Sequence, residues 1–439
     1  MSNNSFFLKG DICWSSSPSA LETAEDSFLL CLDGKSGGVF RKIPEQYAQL
    51  PVRDNSSLLI IPGLTDLHTH APQFAFRGLG MDMELLEWLE KSTFPEEAKY
   101  QDLDYALEAY SRFIENVKKG PNTRLCVFAT IHTPASLLLA DMLEESGLVS
   151  LVGKVSMDRN CPDYLREADA ARAVREWLEV FFIRQKEGLY KNTAAILTPR
   201  FIPSCSDELM RSIAKIQSEF DLPFQSHLSE NKKEVEWVAQ LCPDSENYTG
   251  AYTDFGLLEG PSIMAHCIWP SDREIEILAQ KGTYIAHCPQ SNTNLSSGIA
   301  PVQRLMEKGV HLGLGSDVAG GAHSSIFRAM SDAIQVSKLR RTLIAPEEKA
   351  LSLEEAFYLG TAGGGSFFSK LCNASGNSPR AAIGPAGSFK EGWDFDALII
   401  NDCSLGIKRN PRERLERVVY LSDDRHIVGK YVRGISINQ

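Results

Sequence analysis

Between residues 58 and 341, short β-branched apolar runs alternate eight times with amphipathic stretches of helical length. The apolar runs fall at 58–67, 125–131, 149–155, 194–198, 223–227, 262–267, 283–287 and 311–315. The helical stretches fall at 101–119, 134–146, 168–188, 206–220, 232–241, 271–281, 300–308 and 324–341. Strands that are apolar nearly throughout suit a parallel sheet covered on both faces. Eight strand–helix pairs in about 280 residues is the arithmetic of a (β/α)8 TIM-like barrel. A doubly wound open sheet is the other arrangement that such alternation allows.

The flanks read differently. Residues 6–61 are short strand-like segments broken by turn signals, and "FDALIIN" and "HIVGKYVRGISI" near the other end also read as strands. The expectation is one small β-sandwich domain built from 1–61 and 376–439, set on a barrel of 62–375. Gly34-Lys35-Ser36 is not a phosphate loop, because Leu29 stands where that motif needs glycine; it reads as a hairpin turn.

Composition narrows the partners. With 45 basic against 57 acidic residues, a net charge of −12, and no basic run, nucleic acid is not an expected partner. No stretch approaches the ~18 apolar residues of a membrane span, and "MSNNSFFLKGDICW" lacks the basic and apolar regions of a signal peptide. The ten cysteines are scattered, with no C-x-x-C pair, and read as reduced thiols of a cytoplasmic protein.

A barrel carries its active site at the C-terminal ends of its strands. His68 and His70 end the first strand, and residues two apart on a strand share a face. His227 ends the fifth strand, His266 the sixth, and Asp317 follows the eighth within "LGLGSDVAGG". Imidazoles with a carboxylate suit Zn²⁺ or Fe²⁺. H-x-H by itself is a weak signal; the joint placement of all five at strand ends makes the metal site. Glu230 follows His227 by three residues in "QSHLSEN", where a turn leaving the strand can bring its carboxyl over the metal as a proton shuttle. Asp317 can take a proton from a water activated by the metal, so the sum is metal-assisted hydrolysis. His132 and His287 also sit at strand ends, and either could ligate or support a ligand. His311, His426 and Lys154 read as structural.

"PGLTDLHTH", "HLSE", "AHCPQSN" and "GSD" resemble the amidohydrolase superfamily in its single-metal deaminase branch. "LLEWLEKSTFP", "FATIHTPASLLLAD", "GKVSMD", "TPRF", "QSHLSEN" and "GLGSDVAGG" are similar, within that branch, to the guanine deaminases. The resemblance implies a barrel with a small β domain, one zinc per subunit, a homodimer, and guanine as substrate. It implies zinc at His68, His70, His227 and Asp317, with His266 either ligating or holding the water. Glu230 would be the proton shuttle, assisted by Asp317 and His266. Gln73, Arg200 and Phe201 would hold the purine, with Trp88 an aromatic near the pocket and His227, Glu230 and Asp317 also against the substrate. Two stretches depart from the family pattern, 118–128 before the second strand and a longer loop at 371–382. A hydrolase acting on another aminopurine, a pterin or a triazine is the alternative; a non-catalytic binding homologue is a third reading. Strand 4, "AAILTPRF", has no lysine to bridge a second metal. The H-x-E with C-x-x-C pattern of the other zinc deaminases is absent.

Overall fold

Glycine 63 marks where one sheet stops and another begins. The computed structural model describes residues 4–372 and 383–437, and in it the apolar run at 58–67 is not one strand. Three strands, β1 (Phe6–Ser17), β2 (Ala20–Leu32) and β3 (Lys35–Phe40), precede β4 (Val52–Pro62), which takes the first half of that run. The second half is β5 (Leu64–His70). A Cβ on Gly63 would lie 2.3 Å from the Thr123 side chain, so the chain can turn between sheets here only without one. Two buried strands in succession are apolar on both sides of the break, which is why the pattern concealed it.

The barrel strands follow in the expected order: β5, β6 (Asn122–Phe128), β7 (Val149–Gly153), β8 (Val155–Ser156), β9 (Thr193–Ala195), β10 (Thr198–Pro199), β11 (Phe224–Leu228), β12 (Ser262–His266), β13 (Tyr284–His287) and β14 (His311–Leu314). β8 and β10 are a short parallel pair of their own. The other eight form two parallel four-stranded ladders, β5-β6-β7-β9 and β11-β12-β13-β14. The barrel is therefore not closed by one continuous ladder. Single contacts join the halves instead. Gln225 donates its backbone N–H to Leu197 at 2.9 Å on one side; on the other Asp317 donates to His68 at 2.8 Å and His70 to Val318 at 3.1 Å.

Helices lie between the strands close to where periodicity puts them, for example Leu103–Lys119, Asp207–Phe220 and Asp272–Lys281. Their starts are written in the sequence. Asp102 accepts from the N–H groups of Asp104 and Tyr105, and Ser271 with Glu274 forms a reciprocal capping box.

Three C-terminal strands, β15 (Ala397–Ile400), β16 (Ile427–Val432) and β17 (Ile435–Ser436), complete the terminal sheet, whose order is β17-β16-β15-β4-β1-β2-β3. All seven strands are joined by hydrogen bonds into one sheet, β15 pairing with β4 and β4 with β1, and the sheet curls so that the rings of Phe6 on β1 and Tyr431 on β16, three strands apart in that order, meet with centroids 5.5 Å apart. Phe6, Leu8 and Ile12 pack on one face with Phe395 and Tyr431, while Phe7 and Leu30 serve another cluster, the period-2 alternation of strands. The Gly34 turn joins β2 to β3 as a hairpin.

Arg124 ties this sheet to the barrel floor. Its buried guanidinium donates to Asp396 and Asp394, both at 2.8 Å, and to the Gly384 carbonyl at 2.5 Å. It lies in the 118–128 stretch that departs from the family pattern. The proposed boundary at residue 376, and most of the 371–382 loop, lie outside the described residues. No helix among the described residues is long and apolar enough to cross a membrane.

Candidate active site

The ends of five barrel segments converge on one buried cluster. The Nε2 atoms of His68 and His70 are 3.2 Å apart, and those of His70 and His227 are 3.3 Å apart. Asp317 Oδ1 lies 3.2 Å from His68 Nε2 and 3.4 Å from His70 Nε2. Four ligands held tetrahedrally at zinc–nitrogen and zinc–oxygen bond lengths are about 3.3–3.4 Å from one another. These spacings are those of a ligand set, not of a packed hydrophobic interior.

Protonation agrees. His227 donates its Nδ1–H to the Arg200 carbonyl at 2.6 Å, which leaves Nε2 as a bare lone pair aimed at the cluster. Burial, with the neighbouring histidines, pushes His70 and His227 well below the usual imidazole range, so both stay neutral and able to ligate. Burial pushes the Asp317 carboxyl up, but the charge and hydrogen bond of His68 outweigh it and hold the carboxyl below its usual range.

His266 stands slightly apart. Its Nδ1–H donates to Asn292 Oδ1 at 2.8 Å, and its Nε2 faces Glu230 Oε2 at 3.4 Å and Asp317 Oδ2 at 3.7 Å. That places His266 between the acid–base pair and the donor set. Glu230 is buried, and burial together with the charges of Asp317 and Glu234 holds its carboxyl well above the usual range. Two adjacent carboxyls with their proton affinities driven in opposite directions are the mark of an acid and a base.

Local sequence makes these positions. Ser229, His266 and Asp317 all have left-handed backbones, with φ of 48°, 73° and 47°, so the chain turns sharply at each strand end. After β11, Asn231 caps the helix Lys232–Leu241. Glu234 returns the contact, accepting the N–H groups of Glu230 at 2.8 Å and Asn231 at 3.0 Å. The capping box thereby fixes where Glu230 sits.

A cavity opens beside the cluster, lined by His70, Gln73, Trp88, Arg200, Phe201, His227, Glu230 and Asp317 with Leu85, Leu89 and Leu295. Gln73 and Arg200 lie on one wall, and Phe201, Trp88 and the leucines give apolar cover. All ten site residues expected from sequence are brought to this cluster or cavity. His287 is fully buried beside it, and burial, with the charge of His266, pushes it down to about 3; neither ring nitrogen has a protein partner. His132 is not among the lining residues.

Sequence reading passed over several neighbours. Asp66 accepts from the His68 N–H at 3.2 Å and from the Ser316 N–H at 2.9 Å, tying β5 to the Asp317 turn. Its position two residues before His68 put it on the histidine face, a usable signal. Cys288 lies against the cluster, but burial and the charges of Asp317 and Asp66 push its thiol well above the usual range, so it is a neighbour and not a thiolate donor. Glu97, from the helix Phe94–Ala98, bonds both Gln73 and Arg200, and no spacing in "STFPEEA" announces it.

Comparison with known proteins agrees with this geometry. Residues 59–436 match the model of the amidohydrolase family. A guanine deaminase of Dictyostelium discoideum is 39% identical over 399 residues, 89% of this chain and 84% of the relative. The chain belongs to the amidohydrolase family, among its guanine deaminases. The crystal structure of a guanine deaminase from C. acetobutylicum, with guanine bound in its active site, superposes with a TM-score of 0.92 at 41% identity, covering 99% of this chain and 100% of that one. A zinc-bound adenosine deaminase from Xanthomonas campestris, 20% identical with a TM-score of 0.80, covering 98% of this chain and 92% of that one, shares the fold. A (β/α)8 barrel with a β domain is the architecture typical of this family.

Proposed function

We infer that this amidohydrolase removes the C2 amino group of guanine by hydrolysis, releasing ammonia and leaving xanthine. The observation that carries the reading is one cavity lined at once by Arg200 and Gln73, by the Glu230–Asp317 pair and by the histidine donors His70 and His227. Guanine offers a hydrogen-bond acceptor at O6, a donor at N1 and a flat apolar face. Arg200 supplies only donors and suits O6; the Gln73 amide supplies both kinds and suits the adjoining edge. Phe201 and Trp88 cover the ring faces.

The donor set His68, His70, His227 and Asp317 fits zinc by chemistry and spacing. Bound there, zinc supplies the Lewis acidity that makes water reactive near neutral pH. Asp317 Oδ accepts a proton from the attacking water as its oxygen bonds to C2. Glu230, already protonated, delivers its proton to N3. His266 Nε2, a lone pair facing both carboxyls, holds the water in line. The proton held by Asp317 then passes to the C2 amino group, the C2–N bond breaks, and ammonia leaves as the new carbonyl forms, its hydroxyl proton passing to the Glu230 carboxylate and restoring the acid. The leucine and aromatic walls keep bulk water from competing.

We read the protein as a cytoplasmic homodimer, with a barrel of 62–375 and a terminal β domain from 1–61 and 376–439. Purified protein loaded with one equivalent of zinc per subunit is expected to convert guanine to xanthine with stoichiometric ammonia. No turnover of guanine, alongside turnover of a pterin or triazine, would overturn the substrate.

A further inference from the structure

The recognition residues Gln73 and Arg200 do not hold themselves. One carboxylate spans both: Glu97 Oε1 accepts from Gln73 Nε2 at 2.9 Å, and Glu97 Oε2 accepts from Arg200 NH1 at 2.7 Å. All three side chains are buried. The Arg200 guanidinium also lies over the Phe94 ring, 5.4 Å from its centroid. Phe94 and Glu97 come from the same short helix, Phe94–Ala98, so one element grips the guanidinium from two sides.

The contacts impose a direction on the Gln73 amide. Its Nε2 is committed to Glu97, and its Oε1 accepts the Ala319 N–H at 3.2 Å. Turning the amide over would set its oxygen against a carboxylate and its NH₂ against another N–H. One Nε2 hydrogen and one Oε1 lone pair therefore remain, in fixed places, for a ligand. Arg200 is likewise fixed as a pure donor. A buried carboxylate bridging two recognition groups thus sets the hydrogen-bond polarity of the whole wall.

We propose that Glu97 is the positioning residue that makes this site select a 6-oxopurine over a 6-aminopurine, by locking Arg200 and the Gln73 amide in one donor–acceptor pattern. The proposal rests on the guanine reading above. A ring with an oxygen at C6 and hydrogen at N1 completes the pattern. A ring with an amino group at C6 and a bare N1 opposes it, setting donor against donor at Arg200.

Guanine and 2,6-diaminopurine both carry the C2 amino group that leaves, and differ along the N1–C6 edge. Initial rates on both are measured for the wild type, Glu97→Gln and Glu97→Asp, each zinc-loaded and with metal content checked. Glu97→Gln presents an NH₂ to one of its two partners, so the Gln73 amide or the guanidinium is released. The kcat/KM for guanine is expected to fall on the order of 10- to 100-fold, the scale of one charge-assisted hydrogen bond. The fall lies mainly in KM, and the preference for guanine over 2,6-diaminopurine shrinks by a similar factor. Glu97→Asp keeps the charge and is expected to retain more of the preference than Glu97→Gln. A residue that merely props the fold would lower the melting temperature and leave the preference intact; that result overturns the proposal. Should Glu97→Gln not fold, an unchanged preference in Glu97→Asp overturns it as well. Equilibrium binding of the two purines to the same proteins reads the preference without turnover. Failure of wild-type deamination thereby falls on the functional reading, and failure of the variant comparison falls on Glu97.

Discussion

Replacing Glu230 by glutamine separates chemistry from binding. The amide has the shape of the acid, so the cavity and the capping contacts from Glu234 to the Glu230 and Asn231 N–H groups persist. What disappears is a proton to give. General acid–base catalysis contributes on the order of 10²- to 10⁴-fold, roughly 2.7–5.4 kcal/mol at 1.36 kcal/mol per decade, and kcat should fall by that amount. Stability should move the other way. Burial, with Asp317 and Glu234, holds Glu230 above its unfolded value of about 4.3. A folded carboxyl raised in this way contributes stability that is complete below about pH 4.3 and is lost as pH rises toward the folded value. Glutamine carries no such dependence. In metal-stripped protein the variant should therefore match the wild type at low pH and melt higher at neutral pH. Ammonia release gives kcat, elemental analysis gives bound zinc, and melts at pH 4 and 7.5 give the stability difference. Activity within tenfold of wild type would remove Glu230 from the mechanism. A variant less stable at pH 7.5 than at pH 4, relative to wild type, would refute the reasoning from burial.

Removing the metal should expose how much the donor set holds together. Free zinc at 1,000 times its dissociation constant would stabilise the folded state by about 4 kcal/mol, so chelation should lower the melting temperature and zinc should restore it; equal melts with and without zinc would refute a ligand role for the cluster. Arg124→Met takes from buried Asp396 the guanidinium it accepts from and leaves buried Asp394 with Lys35, 2.5 Å away, and Arg433, 3.8 Å away, as its cations. Urea unfolding should show a loss of about 3–5 kcal/mol, with kcat per folded molecule unchanged because Arg124 lies at the floor of the barrel; a loss under ~1 kcal/mol would show that the acids find other partners.

The barrel was legible because its strands and helices carry different periods over a long span. The ligands were legible because histidine is scarce and its placement at strand ends is improbable by chance. Other features had no local signature. The split at Gly63 lies inside an uninterrupted apolar run, and only contact with Thr123, sixty residues on, explains it. The pairing of β4 with β15, which joins the two chain ends into one sheet, is a choice of edge that alternation within one strand does not record. Gln73 and Arg200 became visible through family resemblance alone. Glu97 escaped because its meaning lies in two partners that folding delivers from 24 and 103 residues away. The sequence could not say that Asn292 would occupy one ring nitrogen of His266 and that Glu230 would face the other, because both partners arrive from other segments.

The division of the barrel into two ladders has a consequence for assembly. His68 and His70 belong to β5 in one half, while His227, His266 and Asp317 come from the other. Neither half alone presents more than a fragment of the donor set. A metal held by the full donor set would therefore need both halves in place, and a chain with one half disordered would lack the complete set. The site acts as a latch across the two seams, and turnover reports that the latch has closed.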